Sequence, residues 1–203
     1  MWTIVLAIAA AVVVFVIVEL ARLTTRLVSK QPFLFTVAAA LVVGGLAIAY
    51  HHATDQPANA VLFSGENAFE SLFEEAPSLS LSALTLLLVF KGLAWSISLG
   101  NFRGGPTFPA LFLGTVAGLL AADLPGFSET PAVAALMAAA CVSILRLPLA
   151  SVVLAVLLTS QAGLTVTPLI IVAVVVAYIT TQELSARRAA LAGGRVCTPS
   201  GTA

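Results

Sequence analysis

Residues 91–118 read KGLAWSISLGNFRGGPTFPALFLGTVAG. An apolar run enters this stretch, and a second apolar run leaves it. Between them the chain places Arg103, Gly104, Gly105, Pro106 and Pro109. A turn of that composition breaks the backbone at or beside membrane depth. The glycine pair carries no Cβ, so the backbone there can approach a guest closely. Pro106 suits a first helical position, where its missing N–H costs little, and the spacing predicts a helix over 108–122. A helix start presents unpaired N–H groups and the positive end of the macrodipole, a combination that attracts anions in a low-dielectric surround. The candidate anion site is therefore Gly104, Gly105, Pro106, Thr107 and Phe108. Lys91 and Arg103 are placed to raise the potential around it. An ordinary loop between two spans is the alternative reading of the same residues.

Composition says what surrounds this turn. The chain has 203 residues, 60% of them hydrophobic and 9% charged, and a mean hydropathy of +1.10. Soluble domains carry about 25% charged residues, so the solvent for most of this surface is lipid or other apolar helices. The fold class expected is all-α: a polytopic membrane protein with tilted, broken and re-entrant helices. The formal net charge is zero, which gives no reason to expect a nucleic-acid partner. Two cysteines, Cys141 and Cys197, read as unpaired thiols, and no metal, cofactor or disulfide framework is expected.

Outward from the turn, apolar runs predict spans near residues 2–27, 33–50, 79–99 and 168–182, because a core of about 30 Å needs about 20 apolar residues. Residues 131–145 and 149–160 are too short to cross comfortably unless they pack inside protein. Interrupted half-length segments beside full spans are the pattern of transporters whose discontinuous helices meet at an ion site. Gly44-Gly45 and the Gly114 and Gly118 pair would each let a neighbouring helix come close. Lys91 lies deep in the third span, where a lysine costs about 3 kcal/mol on insertion scales. It faces a cavity, an anion or a carboxylate, or it snorkels to the interface. His51, His52 and Asp55 are expected in a surface loop. Phe69, Leu72 and Phe73 among glutamates predict a short amphipathic helix within 57–80.

Arg22, Arg26 and Lys30, and again Arg187, Arg188 and Arg195, are basic clusters, so the link after the first span and the C-terminal tail face the cytoplasm. Alternation of spans then puts the acidic connection 51–75 outside. The expected organisation is a first transmembrane helix over 1–30, a transmembrane core over 31–184 and a basic cytoplasmic tail over 185–203. The inner cell membrane is the expected location.

The sequence 104–109, Gly-Gly-Pro-Thr-Phe-Pro followed by ALFLGTVAG, resembles the Gly-Gly-x-Phe-x-Pro turn of the CLC family of chloride channels and chloride/proton antiporters. Residues 64–69, Ser-Gly-Glu-Asn-Ala-Phe, look like that family's glycine-rich loop before a short helix. Arg146-Leu147-Pro148-Leu149 resembles its Arg-x-Pro-Leu turn. The resemblance runs from about residue 32 to 184 and implies chloride or a similar small anion as the transported species. What it matches is the family's C-terminal half. The first-half turns, which supply a serine and a gating glutamate in the family, have no counterpart here, so a homodimer or a separate chain supplying the missing half is expected.

Departures from the family pattern shape the expected chemistry. Pro106 stands where the family's chloride-facing amide would be, leaving the Thr107 and Phe108 amides and the Thr107 hydroxyl as donors. The pore tyrosine that would follow the last apolar run is missing, and Leu157 stands where the family often has glutamate. Passive anion passage is therefore expected rather than proton-coupled exchange by the family's usual route. The reading from another class is a truncated or accessory membrane subunit without transport of its own. An enzyme is not expected: no Ser/His/Asp set, catalytic carboxylate pair, phosphate loop or metal-spaced ligand cluster is present.

Overall fold

Hydrocarbon offers the backbone no hydrogen-bond partner, so a chain of this composition must pair its own N–H and C=O groups within each segment. The computed structural model describes residues 2–28, 31–54, 56–62, 80–102, 104–122, 128–159 and 166–193, and every element among them is helical. In chain order these are α1 (Trp2–Val28), α2 (Pro32–Thr54), α3 (Asn59–Leu62), α4 (Leu81–Asn101), α5 (Thr107–Ala122), α6 (Glu129–Leu145), α7 (Pro148–Leu158) and α8 (Thr167–Gly193). Lys30, Asp55, the Ser64 to Phe69 loop with its following glutamates, Arg103, Arg195 and Cys197 lie outside the described residues. Most of the expected amphipathic helix within 57–80 lies outside them too.

Among the described residues four helices, α1, α2, α4 and α8, are long and apolar enough to cross a bilayer. The chain is thus a polytopic, all-helical membrane protein. α5, α6 and α7 have 16, 17 and 11 residues. At 1.5 Å per residue they reach about 24, 26 and 17 Å, less than a hydrocarbon core of about 30 Å. Short helices must therefore be wrapped by protein, and α6 is the clearest case. Every residue from Ala132 to Ser143 is buried, with α1, α5, α7 and α8 packed around it.

Small side chains allow that burial. A Cβ built on Gly114 would lie 2.6 Å from the Cα of Met137 and 2.7 Å from the carbonyl oxygen of Leu136. One built on Gly118 would run into the Cα of Val133. The two glycines thus form the seam on which α5 and α6 meet backbone to backbone, as their spacing predicts. Gly44 and Gly45 behave otherwise: nothing among the described residues lies within 4 Å of a Cβ on either, and no described helix of this chain uses them. Gly100 is a contact the sequence reading passes over. Its Cβ would meet the Thr24 hydroxyl and the Ala21 carbonyl, and the Thr25 hydroxyl donates to the Gly100 carbonyl at 3.0 Å.

One end of the molecule gathers the charges. Glu19 of α1 pairs with Arg22 at 2.7 Å and with Arg188 of α8 at 2.9 Å. Arg146 caps α6 with φ of 58°, a left-handed conformation that costs a non-glycine residue about 1–2 kcal/mol. Its guanidinium donates to the Ser185 hydroxyl at 2.8 Å. Pro148 then opens α7 in its first turn, where a proline ring does no harm. The Thr25 to Gly100 bond brings the end of α4 to this same side, so α5 starts close to it.

Several boundaries differ from expectation. α2 runs to Thr54, so His51 and His52 occupy its last turn rather than a loop, and the His51 ring nitrogen Nδ1 lies 2.8 Å from the Gln56 carbonyl. α8 continues without a break past residue 184 to Gly193. α3 packs against α2 and α4, and its Val61 and Leu62 share the lining of one cavity with Ala94, Trp95 and Ser98 of α4.

Candidate functional site

α4 ends where its hydrogen-bond ladder closes on Phe102. The Phe102 N–H donates to the Ser98 carbonyl at 2.7 Å, and the residue itself is extended. Gly104 N–H turns back to the Phe102 carbonyl at 3.2 Å. Pro106 then stands immediately before α5, with its carbonyl accepting from Ala110 N–H at 3.4 Å. It is thus the residue before the helix, where the sequence suggests the first helical one. The proline inside the first turn is Pro109, at the third position, where its absent N–H would have had no intrahelical acceptor anyway. Two prolines thus leave Thr107 and Phe108 as the residues whose amides open the helix. Neither has a backbone acceptor among the described residues.

Gly104 and Gly105 are both exposed, and nothing lies within 4 Å of a Cβ built on either. They face a cavity of about 190 Å³ whose walls include Ala94, Trp95 and Ser98 of α4, Phe102, Pro109, and Val61 and Leu62 of α3. Thr107 is half-buried and the Phe108 ring is 43% exposed. Of the five residues expected to form the site, Gly104 and Gly105 line this cavity, whereas Pro106, Thr107 and Phe108 follow them in the chain without lining it.

Lys91 sits deeper on α4. It is 2% exposed, so its ammonium does not reach the lipid–water interface, which removes the snorkelling reading. Its Nζ lies 4.5 Å from the centre of the Phe112 ring, within range of a cation–π contact. Phe112 is four residues beyond Phe108, about 6 Å along the axis. The lysine charge therefore lies roughly one turn of α5 below the helix start. Arg103, the other cation expected to assist, is outside the described residues.

Trp95 and Ser98 are site residues that sequence reasoning missed. Both line the cavity, and Trp95 is 6% exposed with an indole N–H that has no hydrogen-bond partner among the described residues. The signal was in the spacing: Lys91, Trp95 and Ser98 stand at i, i+4 and i+7, one face of one helix. Tyr178, the tyrosine nearest the end of the last apolar run, accepts from Gln182 at 2.9 Å and packs on the cluster around α6 and α8.

Short helices interrupted by glycine and proline beside full-length spans are the pattern of membrane channels and transporters as a class. A family model described as voltage gated chloride channel matches residues 1–182. That match covers most of the chain, which belongs to this family of channels and transporters. No curated protein and no solved structure matches the chain.

Proposed function

We propose that the chain passes chloride or a similar small anion passively across the membrane and binds it at the start of α5. The carrying observation is the open Gly104–Gly105 turn leading into the first turn of α5 at Thr107 and Phe108, with Lys91 buried on α4 over Phe112. Amides and the helix dipole favour a negative guest at that point. The buried ammonium adds attraction that water does not screen. No carboxylate among the described residues lines the cavity, so a cation gains nothing there.

Orientation follows from charge. Arg22, Arg146 and Arg188 gather at the end where α4 meets α1, and basic residues favour the cytoplasmic side. On this reading the mouth opens toward the cytoplasm of an inner-membrane protein, with the basic tail beyond residue 184 on the same side.

The test is chloride efflux from vesicles reconstituted with the purified chain, compared with its Gly105→Leu variant. A Cβ at this position meets nothing within 4 Å, so the variant is expected to fold and to lose most of the flux by filling the mouth. Unchanged flux would put the pathway elsewhere.

One feature favours a second reading, in which this chain transports only when partnered. Gly104, Gly105 and Phe108 are exposed, so one side of the mouth is left uncovered by the described residues. A second copy or a separate chain would supply that wall, and the exposed face of α2, with Phe33 84% and Leu41 72% exposed, offers apolar surface for it. Flux that rises with the square of protein density at low density supports a homodimer. No flux at any density supports an accessory subunit.

A further inference from the structure

We propose that Arg22, Arg146 and Arg188 together hold the phosphate of an anionic phospholipid, and that one of its acyl chains lies along α7. This goes beyond the transport reading and does not depend on it. The three guanidinium groups come from segments far apart in the chain, and described bonds bring them together beside α8. Arg22 and Arg188 share the Glu19 carboxylate at 2.7 and 2.9 Å. Arg146 donates to the Ser185 hydroxyl at 2.8 Å, and Ser185 stands at i−3 from Arg188 on α8, on the same face. Three cations therefore meet one carboxylate. Glu183 and Arg187 are each two residues from Ser185, which puts both on the other side of α8. The cluster is also open. The Arg22 and Arg188 side chains are 43% and 36% exposed, and each guanidinium has five N–H donors, more than these bonds use. Arg146 is the one described non-glycine residue at positive φ, 58°, where glycine is the usual occupant. An arginine held there despite the strain implies a role for its side chain.

Below the cluster the surface suits a hydrocarbon chain. α7 begins two residues after Arg146 and turns back from this end against α6 and α8. Ser151 and Ala155 point inward and are fully buried, whereas Leu149, Val153 and Leu157, one turn apart, are 82%, 54% and 67% exposed. α7 reaches about 17 Å, close to the depth of one leaflet, which is half the core or about 15 Å. Its exposed ridge therefore runs from the arginines to about mid-membrane and stops there, as a single acyl chain does. Charge selects the head. Basic pockets between helices at a membrane face favour anionic headgroups, and a guanidinium meets phosphate through paired N–H bonds. A zwitterionic lipid brings its own ammonium into the same cluster and gains less.

The purified full chain in detergent is titrated with phosphatidylglycerol and, separately, with phosphatidylcholine, and bound lipid is counted by native mass spectrometry. Phosphatidylglycerol retained at concentrations where phosphatidylcholine is not is the expected result, and equal retention of the two overturns the proposal. Arg146→Gly removes one guanidinium while easing the backbone, and Arg22→Gln removes another on a different helix. Each is expected to weaken retention about tenfold, the effect of losing one hydrogen bond to a charged group. Undiminished retention in both overturns the proposal. Arg187→Gln, across α8, is expected to change nothing, and a loss equal to that of Arg146→Gly would mean diffuse surface charge in place of a built site. Leu149→Ser tests the chain and is expected to weaken retention several-fold. Displacement of the lipid by inorganic phosphate at equal concentration would make the cluster a site for a soluble anion and overturn the lipid reading. A dimer that carries no lipid would overturn it in favour of a second copy covering α7.

Discussion

Replacing Gly114 with alanine sets two opposing effects of one methyl group against each other. In a helix interior alanine is better than glycine by about 1 kcal/mol. At Gly114, however, the new Cβ lies 2.6 Å from the Met137 Cα, where ordinary contact begins at 3.4 Å. α5 and α6 must therefore part by about 0.8 Å, and a gap of that size forfeits roughly a quarter to a half of the dispersion along the seam. The obstacle is backbone of a helix buried on every side, so it cannot swing aside as a side chain would. Overpacking of this kind costs about 1–3 kcal/mol. The net expectation is destabilisation of up to about 2 kcal/mol for Gly114→Ala and more for Gly118→Ala, whose approach to Val133 is closer. Gly44→Ala is the matched control. Nothing lies within 4 Å of its Cβ, so the helical gain stands alone and the variant is stabilised by up to about 1 kcal/mol. Equilibrium unfolding in mixed detergent micelles, followed by circular dichroism, measures both. If Gly114→Ala proves as stable as Gly44→Ala, the α5–α6 seam is not the close contact described.

Lys91→Met removes a buried charge and keeps most of the length of the side chain. It is expected to insert at least as well as the parent and to lower chloride flux several-fold, measured in the same vesicles. Equal flux would restrict Lys91 to a structural part. At Arg146, glycine relieves the left-handed backbone and alanine does not, while both lose the bond to Ser185. Arg146→Gly is therefore expected to exceed Arg146→Ala in stability by about 1 kcal/mol, and an inverted order would mean that the φ of 58° carries no strain.

Much of the site is legible in the sequence because it is local. The run from Gly104 to Phe108 declares a break and a helix start through residues that are neighbours in the chain, and both the break and the helix start lie there. The first helical residue differs by one position from the sequence reading because either proline fits a first turn, and only the hydrogen bond from Ala110 to Pro106 distinguishes them. Trp95 escapes a sequence reading because a tryptophan in an apolar run reads as core or interface. That its N–H has no partner among the described residues is a property of what surrounds it.

Composition and run length by themselves determined that this is a membrane protein of helices, which runs span it and which fall short, because insertion is a sum over residues and the bilayer thickness is fixed. The family turns were also in the chain order. Tertiary structure decided which of two glycine pairs is a seam: Gly114 and Gly118 meet α6, whereas Gly44 and Gly45 meet no described helix of this chain. It also decided where Lys91 goes, into the protein over Phe112 and not out to the interface. Small residues permit a close approach, and a lysine permits either burial or escape. Which one occurs depends on the helix that arrives opposite, and that partner is set by packing between segments far apart in sequence.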